Sequence, residues 1–220
     1  MVAYREAVER PFHLESDAFT IASALRAARA MLPAETLVAV DAGFGKPLAS
    51  YLWSTAEPNT YFTAHGLSTM GYALPATNAL QLAYPNRQAV AFMGDGSLLM
   101  RASELSVAAE LGIAPIYVVW LDGALAQIET KQLRQRLRPV GARLPQVSCA
   151  KLADAFGVHG VDVDSLADFR AALGSALRRA NRDGSAPKQA RVAAAAGRAT
   201  LIGARVDQAC RQEWYELLRG

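Results

Sequence analysis

Short, mostly apolar segments alternate with helical apolar patterns along most of the chain, and this alternation limits the folds open to it. The segments that we predict to be strands are Leu37–Val40 and residues 88–93, 115–121, 158–163 and 200–206. Strands that are apolar throughout are typical of parallel sheets whose two faces are both covered by helices. The sequence therefore predicts an α/β fold with a doubly wound, mostly parallel sheet.

The segments between these strands carry apolar residues at helical spacing. The predicted helices cover residues 19–32, 67–84, 103–111, 124–136, 165–179 and 208–218. We expect Asp17 to cap the first helix. Pro75 interrupts the second pattern and should bend or restart that helix.

The 220 residues suit one domain with an appendage. Residues 1–16 have the character of a linker or of a remnant of an upstream domain, and residues 17–220 form the predicted domain. Residues from about 180 to 199 are low in complexity and are interpreted as a surface insertion within it. A basic arm that binds anions is the alternative interpretation of this insertion.

Charge and hydropathy argue against several classes of protein. The formal net charge is only +3, which does not indicate a nucleic-acid-binding surface. The longest uncharged apolar run, residues 111–121, contains Pro115 and is well short of the roughly 20 residues that a membrane span needs. Cys149 and Cys210 lie far apart, and the chain starts without a secretory signal pattern, so a cytoplasmic protein is expected.

Acidic turns follow three of the predicted strands. Asp41 and Asp122 come directly after an apolar segment, Asp95 follows one by a single glycine, and each aspartate has a glycine within two positions. In open parallel sheets, ligands bind beyond the carboxyl ends of the strands. One helix and one strand separate Asp95 from Asp122, so a single crossover should bring both carboxylates to the same edge of the sheet.

The turn at residues 94–97 has the features of a phosphate site. Its two glycines permit a close backbone approach, and the N–H groups at the start of the next helix can hold an anion. A phosphate beside Asp95 requires a cation between them, and Mg²⁺ accepts both carboxylate and phosphate oxygens. Asp122 and the carbonyl of Ala124 could supply further ligands. The alternative is that these are unrelated polar turns.

These motifs together resemble a known family. The G-D-G turn followed by a polar turn about two dozen residues later resembles the diphosphate-binding domain of thiamine-diphosphate-dependent enzymes. Residues 66–75 (GLSTMGYALP) are similar to that family's G-L-G-x-M-G-F-x-L-P segment, and Glu104, Leu105 and residues 200–207 also match its pattern. The resemblance covers roughly residues 17–220, except the insertion, and is nearest to acetolactate-synthase-like proteins.

The resemblance implies thiamine diphosphate and Mg²⁺ as cofactors, held in the thiamine-diphosphate-binding fold. The side chains of Asp95 and Asp122 and the carbonyl of Ala124 would be the magnesium ligands. Met70 would support the bent cofactor from below, and Ser68 would offer its backbone carbonyl to the aminopyrimidine ring. The full set of cofactor-binding residues that the resemblance implies is Ser68, Met70, Gly94, Asp95, Gly96, Ser97, Asp122 and Ala124.

The chain departs from the family at three points. Leu121 stands where the family carries an asparagine, which removes a polar group near the cofactor. Phe44 and Gly45 replace polar side chains of acetolactate synthases, so contacts there are expected from backbone groups. The family's ring-protonating glutamate belongs to a separate pyrimidine-binding domain, so we assign no catalytic residue here. His65 is open to either a substrate-side or a structural role.

The implied function is the cofactor-binding half of an acetolactate-synthase-like enzyme, inactive alone, that needs a pyrimidine domain from elsewhere. We expect a 2-oxoacid substrate such as pyruvate, and a homo-oligomer or a pairing with a pyrimidine-domain chain. The alternatives are a 2-oxoacid decarboxylase subunit and a non-catalytic remnant that serves as a binding or assembly domain. An unrelated nucleotide-binding protein would need a motif such as G-x-x-x-x-G-K-[ST], which the sequence lacks.

Overall fold

A six-stranded parallel sheet forms the centre of the computed structural model, which describes residues 18–180 and 199–207. The strands are β1 (Leu37–Val40), β2 (Tyr61–Thr63), β3 (Ala89–Gly94), β4 (Ile116–Trp120), β5 (His159–Val163) and β6 (Thr200–Ala204). Their order across the sheet is β2-β1-β3-β4-β6-β5, and every neighbouring pair is parallel. The predicted fold class is confirmed.

Helices cover both faces of this sheet. They are α1 (Ile21–Met31), α2 (Gly45–Leu52), α3 (Ala73–Ala83), α4 (Asp95–Arg101), α5 (Glu104–Glu110), α6 (Ala126–Arg134), α7 (Cys149–Ala155) and α8 (Leu166–Ala180). Successive strand residues point to opposite faces, so the sheet divides the core in two. Phe92 and Trp120 pack with α1, α2 and α8 in a first core cluster, whereas Tyr117 and Val119 pack with α3, α5 and α7 in a second.

The strand order creates a crevice between β1 and β3. From β1 the chain passes through α2 to β2 at one edge, and from β3 it passes through α4 and α5 to β4 on the other side. The connection after β1 and the connection after β3 therefore run toward opposite edges of the sheet, although β1 and β3 are neighbours. Such a switch point is where open α/β sheets bind their ligands.

The helix predicted over residues 67–84 is wrong in its first six residues, because α3 begins only at Ala73. Ser68 and Gly71 have positive φ angles of 48° and 83°, which a right-handed helix cannot contain. Pro75 falls in the first turn of α3, where N–H groups have no acceptor within the helix. A proline at this position therefore removes no helical hydrogen bond. The proline therefore neither bends nor restarts a longer helix, as the sequence had suggested.

The first helix begins with a capping box at Thr20. The Thr20 hydroxyl accepts the N–H of Ser23, and the Ser23 hydroxyl accepts the N–H of Thr20. The predicted cap, Asp17, lies outside the described residues. Sequence analysis did not predict α2, β2, α4 or α7, and apart from the start of α3 it placed the remaining described elements within a few residues of their bounds.

Several sequence-based expectations fall outside the described residues. These are the linker at 1–16, most of the insertion at about 180–199, the helix at 208–218 and Cys210. Cys149 is described, is buried, and has a thiol whose pKa burial raises to about 12. Within the described residues no helix is long and apolar enough to cross a membrane.

Candidate functional site

A cavity of about 670 Å³ opens at the carboxyl ends of β1, β3 and β4. Its volume is within the range of roughly 300–1,000 Å³ that small-molecule sites occupy. The structure brings together along its wall every site residue that the sequence predicts, namely Ser68, Met70, Gly94, Asp95, Gly96, Ser97, Asp122 and Ala124. Their contacts with a cofactor remain a prediction.

Asp95 connects the two acidic turns. Its Oδ1 accepts the N–H of Gly96 at 2.8 Å, and its Oδ2 accepts the N–H of Gly123 at 2.7 Å. Asp95 is 2% exposed, while Asp122 is half-buried and accepts the N–H of Ala124 at 3.3 Å. The two carboxylates that the sequence analysis assigned to a metal are therefore held in adjoining turns of one cavity.

Ala124 occupies an antiparallel bridge with the loop that follows α6. The bridge is made by the carbonyl of Gly123, which accepts the N–H of Leu144, and by the N–H of Leu125, which donates to Ala142. Ala124 itself contributes neither its N–H nor its carbonyl to these two bonds. The bridge therefore holds Ala124 in place without using the carbonyl that the sequence analysis assigned to a cation.

The oxygen donors fit Mg²⁺ only if a ligand contributes as well. Within the described part of the chain, no group of three or more His, Cys, Asp or Glu side chains is placed to hold a metal. Mg²⁺ prefers six oxygen ligands and usually shares its shell between carboxylates, water and phosphates. Two aspartates and one carbonyl therefore fit a cation that is completed by an anionic ligand.

Asp41 organises the other side of the cavity. Its Oδ1 accepts from the N–H groups of Ala42 and Gly71, at 2.8 and 3.0 Å, and from the Ser97 hydroxyl at 2.9 Å. Its Oδ2 accepts the N–H of Ala73 at 2.8 Å. Burial raises the pKa of Asp41, while these hydrogen bonds act to lower it. The sequence placed Asp41 at this edge but did not show that it orders three separate segments.

The bond to Asp41 also limits what Ser97 can offer to a ligand. Its hydroxyl hydrogen is committed to the Asp41 carboxylate. Its backbone N–H lies in the first turn of α4, where N–H groups have no intrahelical acceptor. A donated contact from Ser97 to a phosphate would therefore come from the backbone rather than from the hydroxyl.

Met70 lies close against the glycine turn. A Cβ added to Gly96 would come within 2.8 Å of Leu125 Cδ2 and 3.1 Å of Met70 Cε, so a side chain at this position would have to displace these two side chains. Ser68 adopts a left-handed conformation that is uncommon for residues other than glycine. Residues in such sparsely populated conformations are frequent at binding sites, where the surrounding structure holds them.

Lys46 is a cavity residue that the sequence analysis missed. Its Nζ donates to the carbonyl of Ala64 at 2.9 Å and to the hydroxyl of Ser68 at 3.1 Å. We expected only backbone contacts from the apolar turn at Phe44 and Gly45, but the next residue adds a charged group. The sequence signal was a lysine just after a glycine-containing turn that follows a strand, a signal too common to single it out.

Leu121, which departs from the family pattern, and His65 both lie outside the described wall of the cavity. Leu121 is half-buried and packs on the second core cluster, and a Cβ on Gly203 would come within 2.8 Å of its Cδ1. Its side chain is therefore directed toward β6. His65 is exposed and, like Leu121, is absent from the described residues that line the cavity.

Comparison with known proteins identifies relatives of this chain. A family model described as "Thiamine pyrophosphate enzyme, C-terminal TPP binding domain" matches residues 41–187. The probable 2-ketoarginine decarboxylase of Pseudomonas aeruginosa is 33% identical over 150 residues, which is 66% of this chain and 27% of that protein. The large subunit of acetolactate synthase isozyme 2 of Escherichia coli is 31% identical over 156 residues, 69% of this chain and 28% of that protein.

A solved structure supports the same fold. The thiamine diphosphate-dependent 4-hydroxybenzoylformate decarboxylase of Rhodococcus jostii RHA1 superposes with a TM-score of 0.72 at 22% identity, covering 87% of this chain and 33% of that chain. The chain thus spans about a quarter to a third of the length of these relatives. By the residues of its family match, it belongs to the thiamine pyrophosphate enzymes and represents their C-terminal TPP binding domain.

Proposed function

We propose that this domain binds the diphosphate end of thiamine diphosphate together with Mg²⁺, as one half of the active site of an acetolactate-synthase-like enzyme. The observation that carries the proposal is the hydrogen bond from the Gly123 N–H to Asp95. It fixes the two acidic turns beside one cavity of suitable size. When bound, thiamine diphosphate would supply the reactive ring for decarboxylation or carboligation of a 2-oxoacid.

The acidic residues would hold the cation rather than the phosphates directly. Asp95 and Asp122 would each contribute a carboxylate oxygen, and Ala124 would contribute its carbonyl. Without a cation, an anionic diphosphate would be repelled by both carboxylates, and this repulsion is strong where water is excluded. A divalent ion removes that repulsion and is itself ligated by the phosphate oxygens.

The remaining residues of the wall would position the cofactor. The absence of a side chain at Gly96 lets the backbone approach a phosphate closely. Met70, whose Cε lies near that glycine, would pack beneath the cofactor rings. The left-handed conformation of Ser68 orients its backbone at the edge of the cavity, where it would contact the aminopyrimidine.

The rest of the active site would come from elsewhere. The matched relatives are several times longer than the aligned region, which corresponds to 27% and 28% of two of them. A pyrimidine-binding part, from another segment of the same protein or from a partner chain, would complete the pocket. We expect assembly as a homo-oligomer or with such a partner, a 2-oxoacid such as pyruvate as substrate, and a cytoplasmic location.

A decarboxylase without carboligation is the second candidate. It is favoured by the similarity to a protein named as a probable 2-ketoarginine decarboxylase. The third candidate, a non-catalytic binding domain, was suggested by Leu121. The packing of that side chain on the core, away from the cavity, weakens this reason for expecting a loss of activity.

Calorimetric titration tests the proposal. Thiamine diphosphate is titrated into the protein with and without Mg²⁺, and into Asp122→Ala with Mg²⁺. We expect binding to require Mg²⁺ and to weaken by at least about tenfold in Asp122→Ala, since a charged ligand oxygen is lost. Asp154→Ala, at an exposed position on α7, is the matched control and should bind normally.

Melting temperatures identify any variant that is merely misfolded. Binding that is indifferent to Mg²⁺ would contradict the metal assignment. Unchanged affinity in a stably folded Asp122→Ala would contradict the role of the second acidic turn. Absence of any binding by the wild-type protein in the presence of Mg²⁺ would overturn the proposal as a whole.

A further inference from the structure

The charges that line the cavity are unevenly distributed. Asp41 and Asp95 are 2% exposed and Asp122 is half-buried, and all three carboxylates line the same cavity. Among the described residues of the wall, Lys46 is the one with a cationic side chain. A ligand that carries phosphate or carboxylate oxygens therefore meets a wall with three carboxylates and, among the described residues, one cationic side chain to attract it.

The ammonium of Lys46 is held in a defined place. Lys46 is half-buried in the first turn of α2, and its Nζ bonds to the Ala64 carbonyl and the Ser68 hydroxyl span the gap between α2 and the segment after β2. An ammonium has three N–H donors, and these two bonds occupy two of them. Because the side chain is already ordered, a third bond to a ligand costs little further rotamer entropy.

We propose that Lys46 is the anion-recognising residue of the cavity and donates to an anionic oxygen of the bound ligand. This proposal rests on the proposed function, which offers two such oxygens: those of the cofactor diphosphate and those of the 2-oxoacid carboxylate. Mg²⁺ would neutralise the Asp95 and Asp122 side of the cavity, whereas Lys46 acts from the side of α2 and Ser68. The two cations therefore have separate tasks.

The competing explanation is that Lys46 only tethers residues 64–68. An attraction to an anion and a structural tether respond differently to substitution of Lys46. Lys46→Arg keeps the charge but changes the hydrogen-bonding geometry, whereas Lys46→Gln keeps a polar side chain and removes the charge. An attraction between charges also weakens with added salt, and a neutral tether does not.

The experiment measures binding rather than turnover. Thiamine diphosphate with Mg²⁺ is titrated calorimetrically into wild type, Lys46→Gln and Lys46→Arg at low and high salt. Oxamate, a non-reactive 2-oxoacid analogue, is then titrated into each protein after saturation with the cofactor. Lys151→Gln makes the same charge change at an exposed position of α7 and serves as the control.

We expect Lys46→Gln to lower the affinity for one of the two anions by about tenfold at low salt and by less at high salt. The affinities of Lys46→Arg should stay within a few-fold of those of wild type. The affinities of Lys151→Gln should equal those of wild type. If only the affinity for thiamine diphosphate falls, Lys46 contacts the diphosphate. If only the affinity for oxamate falls, Lys46 contacts the substrate carboxylate.

Three results would overturn the inference. They are unchanged affinity of Lys46→Gln for both anions, an equal loss in Lys46→Arg, and a loss that is independent of salt. Failure of wild type to bind thiamine diphosphate at all is a different result, because it removes the proposed function itself. The two failures are therefore distinguishable in one set of titrations.

Discussion

Replacement of Asp41 by asparagine tests whether one buried carboxylate orders this site. The amide keeps the shape of the side chain but substitutes an NH₂ group for one acceptor oxygen. Oδ1 receives three donors and Oδ2 receives only the N–H of Ala73. The least disruptive orientation therefore places the NH₂ group against Ala73, where it cannot accept.

The cost follows from that geometry. One hydrogen bond is lost and one buried N–H is left unsatisfied, at a cost of about 1–3 kcal/mol. The neutral amide offsets part of this, because burial of the charged carboxylate is itself unfavourable, as the raised pKa of Asp41 shows. We expect the free energy of unfolding to fall by about 1–2 kcal/mol at neutral pH.

The pH dependence gives a sharper test. The folded protein binds a proton at Asp41 more tightly than the unfolded chain does, because burial raises the pKa above its ordinary value of 3.8. The contribution of Asp41 to stability therefore decreases as pH rises from near 3.8 to the folded pKa, and is constant above it. Asparagine lacks this titration, so the stability gap between wild type and Asp41→Asn should narrow as pH rises through this window.

Urea denaturation followed by circular dichroism measures this gap between pH 4 and pH 7. Asp154→Asn, at an exposed carboxylate, controls for the loss of a charge and should leave stability nearly unchanged. A gap that widens with rising pH would show that the pKa of Asp41 is lowered, which refutes the burial argument. Equal stability at every pH would show that the hydrogen bond from the Ala73 N–H to Asp41 contributes nothing to stability.

Three further outcomes are expected. Leu121→Asn should lower stability by about 1–2 kcal/mol without tightening cofactor binding, because the leucine packs on the core; tighter binding in calorimetry would contradict this placement. Gly96→Ala should weaken thiamine diphosphate binding several-fold, since its Cβ would displace Leu125 and Met70, and unchanged affinity would show that the wall adapts. The 220-residue polypeptide alone should not convert pyruvate at an ordinary rate of about 1 s⁻¹, which an acetolactate and acetaldehyde assay measures; such a rate would refute the half-site proposal.

The sheet and the clustering of the site were predictable because both depend on local patterns. Buried parallel strands are apolar along their whole length, so four of the six strands stood out as uninterrupted apolar runs, and β5 as a mixed one. The carboxyl ends of such strands share one edge, and this rule alone was enough to bring Asp95 and Asp122 together. The three-residue, half-buried β2 offers no comparable pattern.

The errors arose where tertiary contacts decide the local structure. Residues 67–72 have helical apolar spacing, yet the structure keeps them out of α3. The N–H groups of Gly71 and Ala73 are bound by Asp41, which is about thirty positions away in the chain. Lys46 likewise gained a role only through Ala64 and Ser68, which no local pattern connects to it.

Asp41 and Asp95 are both buried aspartates in this cavity, but their hydrogen bonds suit them to different tasks. Asp41 receives four donors from three separate segments, so removal of any acceptor leaves the fold itself with an unsatisfied group. Asp95 accepts the backbone N–H groups of Gly96 and Gly123, which belong to the two acidic turns themselves. These two bonds orient the Asp95 carboxylate between the two acidic turns, where a cation would share its oxygens. The origin of its donors, rather than burial or acidity alone, makes Asp95 the better candidate for a metal ligand and Asp41 the better candidate for a structural support.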